Sequence, residues 1–223
     1  MNHILAIDTS TDFAGIAVSN GAEVVELRWS AGRNQTTSVL EQIDHCLKLA
    51  GIGVGDLAAI AIAIGPGMFN GLRVGASIAK GLAIAGSIPL IGVSTLELAA
   101  APWHGLGRDV IGVVSAGRGR VVWQRFAASP PFAATNEAQN MTLDGLAGAL
   151  ASESGFLAAG EIPPALAETL SGRGVIVRVG DVAGRRPALL AGLGLQRLER
   201  GEIDDLATLE PVYLHGQPVP VAE

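Results

Sequence analysis

Hydrophobic and polar positions alternate along the opening segment in a pattern typical of β-strands. Residues 4–7 are apolar, and two alternating runs follow at residues 13–19 and 23–29. The pair Asn20-Gly21 joins these runs, and such a pair between alternating segments is a strong signal for a tight turn. The chain is therefore predicted to open with a strand and a β-hairpin.

The period then changes to that of an amphipathic helix. Hydroxyl residues at 36–38, followed by Glu41, form a signal for its capped start. The apolar residues on one face of this helix are Leu40, Ile43, Leu47 and Ala50. A run of β-branched residues and alanines at 59–64 shows no alternation, so it predicts a strand covered on both faces.

The remainder of the chain repeats this order of elements. Further strands are predicted at residues 89–93, 110–115, 120–127, 156–159 and 175–179, and further helices at 95–101, 142–151 and 188–200. Strands alternating with helices in two successive units predict an α/β architecture that uses a related fold twice. The expected division is an N-terminal lobe at 1–102, a C-terminal lobe at 103–187, and a C-terminal helix and tail at 188–223 that could pack back on the first lobe.

Composition limits the classes of function. The 223 residues are 49% hydrophobic and 16% charged, which is ample apolar material for a buried core. A net charge of −6 argues against unassisted nucleic-acid binding, because that binding relies on many lysines and arginines neutralising phosphates. Cys46 is the only cysteine, so no intrachain disulfide can form.

The sequence also argues against membrane insertion and export. The first residues lack the basic segment, apolar stretch and cleavage site of a signal peptide. The most apolar region, residues 74–93, is interrupted by Lys80, Pro89 and several glycines, so it predicts a buried helix and a strand rather than a membrane span. We therefore expect a cytoplasmic protein.

Candidate chemistry concentrates in the sequence GPGMFNGLRVG at residues 65–75, here called the glycine element. Gly65 and Gly67 can adopt positive φ for a sharp turn, and Pro66 stiffens it. Asn70 is a good cap for the helix that follows. Amide groups at such a helix start could hold an anion, but the element lacks the lysine and hydroxyl residue of a P-loop.

Arg73 lies in the first turn of this helix, where a positive charge opposes the helix dipole. Its position predicts a nearby carboxylate or phosphate, although an ordinary surface arginine fits the pattern equally well.

Small residues recur every four positions along the same helix, at Gly71, Gly75, Ala79 and Ala83. This small-residue strip would let another helix approach closely, either inside the chain or from outside. Apolar residues also occupy much of the rest of the circumference, at Leu72, Ile78, Leu82 and Ala85. Two apolar faces need two partners, so we expect one face to meet the core and the strip to meet a neighbouring subunit.

Five short sequences occur in order along the chain, namely ILAIDTST, GPGMFNGLRVG, PLIGVSTLELAA, SAGRGRVVW and LEPVYL, of which the glycine element is the most specific. Together these sequences resemble the TsaB family of tRNA threonylcarbamoyladenosine biosynthesis proteins. The resemblance implies an actin-like ATPase fold of two ribonuclease H-like lobes with mixed sheets. It also implies a non-catalytic scaffold or activator subunit in the biosynthesis of tRNA threonylcarbamoyladenosine (t6A).

The implied partners are a TsaD-like catalytic subunit and a TsaE-like ATPase, with a homodimer when the chain is alone and tRNA bound only through the complex. No intrinsic cofactor is implied, and ATP or ADP stays open at the partner interface. The residues predicted to bind the partner are Leu40, Ile43, Leu47, Gly71, Leu72, Gly75, Ala79, Leu82 and Ala83.

Seven positions match the family's glycine motif, namely Gly65, Pro66, Gly67, Phe69, Gly71, Arg73 and Gly75. Met68 and Asn70 replace its usual serine and threonine, and Ser115 stands where the family often has an aspartate. The candidates for nucleotide or anion binding are Asp8, Gly65, Pro66, Gly67, Phe69, Asn70 and Arg73.

Two other functions stay open. Asp8 ends the first strand and resembles the first phosphate motif of actin-like ATPases, where an acid could hold a metal through water. An ATPase or small-molecule kinase is thus one alternative, and a purely self-associating module is the other. A capping role for Asp8 is favoured because no matching acid stands at Ser115. The four histidines are far apart in sequence, so neither a metal ligand nor a catalytic residue is assigned.

Overall fold

Two five-stranded mixed β-sheets organise the chain in its computed structural model, which describes residues 2–31, 35–130, 132–179 and 185–213. The sheets belong to two separate compact units. Unit 1 combines the chain up to Leu98 with Arg185–Val212, and unit 2 begins at Ala99. The first boundary therefore falls at Leu98 rather than at residue 102, and the return to unit 1 begins at Arg185 rather than at residue 188.

Within these described residues the strands are β1 (His3–Asp8), β2 (Phe13–Ser19), β3 (Val24–Ser30), β4 (Leu57–Gly65), β5 (Leu90–Ser94), β6 (Val110–Gly117), β7 (Arg120–Phe126), β8 (Gln139–Thr142), β9 (Leu157–Gly160) and β10 (Ile176–Val179). The helices are α1 (Gln35–Leu49), α2 (Phe69–Gly86), α3 (Thr95–Ala100), α4 (Leu143–Ala149), α5 (Pro164–Ser171) and α6 (Pro187–Glu199). The same residues contain no helix that is both long and apolar enough to cross a membrane.

The two sheets have the same topology. Sheet 1 has the order β3-β2-β1-β4-β5, and sheet 2 has the order β8-β7-β6-β9-β10. In each sheet the first three strands of the chain pair antiparallel, and the last two extend the first strand in parallel. The prediction of a related fold used twice is therefore confirmed.

The opening hairpin is also as predicted. β2 and β3 pair antiparallel over their full length, from Phe13 opposite Ser30 to Ser19 opposite Val24. The Asn20 side-chain oxygen accepts hydrogen bonds from the backbone N–H groups of Ala22, at 3.0 Å, and Glu23, at 2.8 Å. The turn is thus fixed by the asparagine side chain that signalled it.

Sheet 1 is covered on both faces, as the unalternating run in β4 predicts. The isoleucines Ile60 and Ile62 join the core under α1 and α2. The alanines of β4 point to the other face, where α6 packs. A Cβ atom added to Gly194 of α6 would lie 2.7 Å from the Ala61 Cβ, so this helix approaches the sheet too closely for any side chain at that position.

The β5 edge of sheet 1 is protected by the end of α6 and by the chain that follows it. The Asp204 carboxylate accepts the backbone N–H of Gly92 in β5 at 2.7 Å, and the Arg197 guanidinium donates to the Gly92 carbonyl. Arg197 also pairs with Glu97 at 2.6 Å, and burial raises the pKa of that carboxyl group while Arg197 opposes the shift. Unpaired edge strands invite association with other chains, so these contacts satisfy β5 internally.

Two elements of unit 2, β8 and α5, are not predicted from the sequence. β8 has only four residues, and their sequence QNMT lacks the apolar alternation of a strand. α5 begins at Pro164 directly after Pro163, and adjacent prolines are more typical of loops. By contrast, the predicted cap at Thr142 is confirmed, because its hydroxyl oxygen accepts the Gly145 N–H at 3.1 Å.

The single cysteine lies in the core of unit 1. Cys46 is fully buried on the inner face of α1, and its thiol points toward the Val25 carbonyl at 3.5 Å. Burial raises the pKa of this thiol from 9.0 to about 11, because a thiolate would be poorly solvated there. The group therefore stays protonated in the folded protein at physiological pH.

This shift makes stability depend on alkaline pH. The unfolded chain releases the thiol proton at a lower pH than the folded chain does, so the thiol leaves stability unchanged below pH 9 and reduces it between pH 9 and pH 11. We expect the free energy of unfolding to fall by about 2–3 kcal/mol more in the wild type than in Cys46→Ala over that range. Urea unfolding of both proteins from pH 8 to pH 11 measures this difference, and parallel curves would show that the thiol is not desolvated.

Candidate functional site

The glycine element packs against the loop that follows β1. The Met68 N–H donates to the Ser10 carbonyl at 2.8 Å, and the Thr9 hydroxyl donates to the Gly71 carbonyl at 2.7 Å. A Cβ atom on Gly67 would lie 2.6 Å from the Ser10 carbonyl oxygen. Two segments distant in sequence thus meet backbone to backbone, with no room for a side chain between them.

The turn itself is built differently at its two glycines. Gly65 has φ of +102°, as predicted for a sharp turn, and the Gly65-Pro66 peptide is cis. Gly67 has no positive φ, so that part of the prediction is wrong, and a glycine is required there by the close approach to Ser10. The Pro66 carbonyl accepts the buried Thr95 hydroxyl at 2.5 Å, which joins the turn to the start of α3.

The start of α2 also differs from the prediction. The helix begins at Phe69 with Met68 at the N-cap and no side-chain cap, so Asn70 lies inside the first turn and is exposed. Asn70 is therefore not the cap. The Arg73 guanidinium lies over the Phe69 ring, 5.0 Å from its centroid. The contact that the structure gives Arg73 is an aromatic ring one helical turn away, which fits the alternative of an ordinary surface arginine.

The small-residue strip faces inward, and its assignment to a partner surface is wrong. Gly71, Gly75, Ala79 and Ala83 are all buried within unit 1. A Cβ atom on Gly75 would lie 2.3 Å from the Thr9 hydroxyl oxygen and 3.1 Å from Ile62 Cδ1. The strip is small because α2 lies close to β1 and β4.

Three other predicted partner residues belong to the same interior. Leu72 is 1% exposed, and Ile43 and Leu47 of α1 lie in the core shared with sheet 1. They cannot contact a partner without unfolding the helices. Leu40, with 48% of its surface exposed, and the partly buried Leu82 are the members of the predicted set that reach solvent.

Asp8 forms a buried polar cluster at the carboxyl end of β1. Its Oδ1 atom accepts the Ser10 N–H at 2.9 Å and also the Ser10 hydroxyl. The Arg185 Nη2 atom lies 3.4 Å from Oδ2 and 3.5 Å from Oδ1, and it donates to the Ser10 hydroxyl oxygen. Asp8 and Arg185 are only 5% and 4% exposed, so this is an ion pair inside the protein.

The resemblance to actin-like ATPases predicts a cation and phosphates beside Asp8. The residues around Asp8 do not fit such ligands. The position beside the Asp8 carboxylate that a cation would take is held by the Arg185 guanidinium. The Met68 amide at the start of α2 is committed to Ser10, so it does not point to an anion. Among the described residues, no three His, Cys, Asp or Glu side chains come together as metal ligands.

The equivalent place in unit 2 carries a different acid. Ser115, near the end of β6, donates its backbone N–H to the Glu161 carboxylate at 3.0 Å. Glu161 directly follows β9, the strand parallel to β6. An acid is thus present beside Ser115, but it directly follows the neighbouring strand β9. It is not the aspartate that TsaB proteins often have in place of Ser115.

The structure therefore separates the predicted site residues into two groups. Asp8, Gly65 and Pro66 are buried and Gly67 is partly buried at the carboxyl ends of β1 and β4, whereas Phe69, Asn70 and Arg73 lie on the surface. Sequence reasoning missed Arg185, which completes the buried cluster. Its signal was the pair Arg185-Arg186 before Pro187, since positive charges at a helix start need acidic partners.

Duplicated ribonuclease H-like units with this strand order define a protein of the actin-like ATPase fold, and a solved structure agrees. A Pseudomonas aeruginosa protein, described as uncharacterized with similarity to peptidase YEAZ, superimposes with a TM-score of 0.78 over 96% of this chain and 100% of its own length. The two sequences are 22% identical. The predicted fold class is thereby confirmed.

The chain belongs to the family described as TsaD: tRNA N6-adenosine threonylcarbamoyltransferase, whose model matches residues 29–152, more than half of its length. It is 36% identical over 125 residues to the tRNA threonylcarbamoyladenosine biosynthesis protein TsaB of Escherichia coli K12, covering 55% of this chain and 54% of that protein.

A tRNA N6-adenosine threonylcarbamoyltransferase of Anaeromyxobacter dehalogenans 2CP-1 is 36% identical over 114 residues, covering 44% of this chain and 34% of that protein. The matched region thus spans about half or less of these curated relatives. The resemblance to TsaB proteins predicted from the motifs is confirmed.

The inward strip can be tested with two glycines of the same helix. Gly75→Ala should cost about 1–3 kcal/mol of unfolding free energy, because the new methyl group displaces Thr9 from its hydrogen bond to Gly71. Gly81→Ala should instead stabilise by about 0.5–1 kcal/mol, since no atom lies within 4 Å of the new Cβ. Urea unfolding compares the two, and equal effects would mean that the strip faces solvent.

Proposed function

We propose that this chain is a non-catalytic accessory subunit in the biosynthesis of tRNA threonylcarbamoyladenosine, acting in the cytoplasm by binding and activating a TsaD-type catalytic subunit. A TsaE-like ATPase would join that pair, and tRNA would meet the assembled complex rather than this chain alone. Any ATP or ADP would bind at the interface between subunits. Family membership and the names of the matched relatives support the pathway.

The observation that carries the accessory role is an exposed stripe along one side of α2, with an apolar residue at each end and Arg73 between them. Phe69 is 50% exposed at the start of the helix, and Ile84 is 68% exposed near its end. Arg73 lies between them on the same side, stacked on the Phe69 ring. Aromatic and arginine side chains are the residues that most often anchor protein interfaces, so this stripe has the chemistry of a binding surface.

Two further exposed apolar residues lie on or next to the two helices that cover this face of sheet 1. Met68, just before α2, is 43% exposed and adjoins Phe69, and Leu40 on α1 is 48% exposed. α1 and α2 cover the same face of sheet 1, where their inner residues form one core. Their outer residues are therefore presented by rigid, well-supported helices, which favours docking without rearrangement.

The state of Asp8 supports a non-catalytic role over the ATPase alternative. Its carboxylate is occupied by Arg185 and Ser10. The described histidines are also dispersed, with His3 in β1, His45 in α1 and His104 in unit 2, and His215 lies outside the described residues. A self-associating module would use the same exposed stripe, so it is distinguished by experiment.

Substitution of the stripe tests the proposal. Phe69→Asp should weaken co-purification with the cognate TsaD-type subunit by about tenfold or more, because it replaces an exposed aromatic ring, on which Arg73 stacks, with a short charged side chain. Ile203→Asp is the matched control, since Ile203 is 51% exposed in the segment that follows α6 and is not part of α2. Both variants should keep the wild-type melting temperature.

A reconstituted threonylcarbamoyl-transfer reaction completes the test. Omission of the chain, or its replacement by Phe69→Asp, should abolish stimulated transfer, while Ile203→Asp should support it. Full transfer without the chain would contradict the accessory role. A dimer in sedimentation that forms through the stripe, with no effect on transfer, would favour the self-associating module.

A further inference from the structure

Two adjacent arginines at the start of α6 have opposite environments. Arg186 is a surface residue, with a side chain 55% exposed, and its guanidinium makes two hydrogen bonds to Glu26 at 2.6 and 3.0 Å. The Arg185 side chain is 3% exposed and points to Asp8. A buried guanidinium is costly unless an acid compensates it, so Arg185 and Asp8 depend on each other.

The Asp8 carboxylate has little capacity for any further ligand. Oδ1 already accepts two hydrogen bonds from Ser10, and both oxygens lie within 3.5 Å of Arg185 Nη2. The Ser10 hydroxyl, which could otherwise bind a cation, is used by Arg185 as an acceptor. A hydrated divalent cation needs open carboxylate oxygens and space for several waters.

From these contacts we infer that Arg185 is a built-in cation that occupies the Asp8 position and closes unit 1 to divalent cations and the phosphates they carry. The guanidinium neutralises the acid as a metal ion would, but it is supplied by the chain itself and is covered by the protein. Arg185 directly precedes Arg186, the N-cap residue of α6, and α6 packs across sheet 1. Displacing the guanidinium would therefore require moving the start of that helix.

This inference goes beyond the proposed accessory role and stands independently of it, because it concerns ligand binding by the chain alone. An accessory subunit could still bind a cation at Asp8, and a closed Asp8 does not require a partner. The partner experiment and a cation-binding experiment can therefore fail separately.

Mn²⁺ titration followed by electron paramagnetic resonance tests the inference on the full chain. We expect the wild type and Arg186→Met to take up no Mn²⁺ at this position. Arg185→Met should gain one site that is lost again in the double variant Asp8→Asn/Arg185→Met. In thermal unfolding, millimolar Mn²⁺ should raise the melting temperature of Arg185→Met alone, because a ligand that binds only the folded state stabilises it.

Several results would overturn the inference. One is Mn²⁺ or Mg²⁺–ADP binding by the wild type that Asp8→Asn abolishes. Another is a folded Arg185→Met protein with no new site. If Arg185→Met does not fold alone, refolding with and without Mn²⁺ replaces the titration. Recovery of the native circular dichroism spectrum only with Mn²⁺ supports the inference, and no recovery in either condition contradicts it.

Discussion

The buried ion pair between the Asp8 carboxylate and the Arg185 guanidinium joins three segments of unit 1. Asp8 ends the first strand, Arg185 brings the chain back to the unit, and Ser10 links both to the loop on which the glycine element packs. Removing one member of a buried ion pair leaves an uncompensated charge, which typically costs about 3–5 kcal/mol. A loss of that size is a large part of a domain's net stability, so the positions of the residues around the pair are strongly constrained.

The glycine element follows from this constraint. At Gly67 the turn passes the Ser10 backbone so closely that a Cβ atom would not fit. At Gly75 helix α2 lies so close to Thr9 and Ile62 that a Cβ atom would not fit there either. Gly67 is therefore required by the approach of the Ser10 backbone, and Gly75 by the approach of the Thr9 and Ile62 side chains. A phosphate-binding loop would use similar residues but would leave its amides directed at a ligand, whereas the Met68 amide is bonded to Ser10.

The same packing separates an inner and an outer side of α2. The buried side of α2 consists of Gly71, Leu72, Gly75, Ile78, Ala79 and Ala83, whereas Phe69, Arg73 and Ile84 are exposed on the outer side. Helix α2 thus packs on sheet 1 with its inner side and presents the exposed stripe with its outer side. The proposed accessory function uses the outer side, and the closed Asp8 site concerns the inner side.

Local patterns in the sequence were sufficient to predict most elements and the repeated α/β topology. Alternation located the hairpin strands, and the Asn20 turn and the Thr142 cap carry their own side-chain signals. The orientation of the strip could not be predicted, because small residues permit close approach on either side of a helix. The Arg185-Arg186 pair signals that an acidic partner is needed, but the sequence does not specify which acid, because Asp8 lies 177 positions from Arg185.

A double-mutant cycle on the buried pair tests the account most directly. The unfolding free energies of wild type, Asp8→Asn, Arg185→Met and the double variant would be measured by urea denaturation at neutral pH. Each single substitution should cost about 3–5 kcal/mol, and the double variant should be no less stable than either single variant, because it leaves no uncompensated buried charge. Additive losses would contradict the account, since they would show that the two side chains stabilise unit 1 independently.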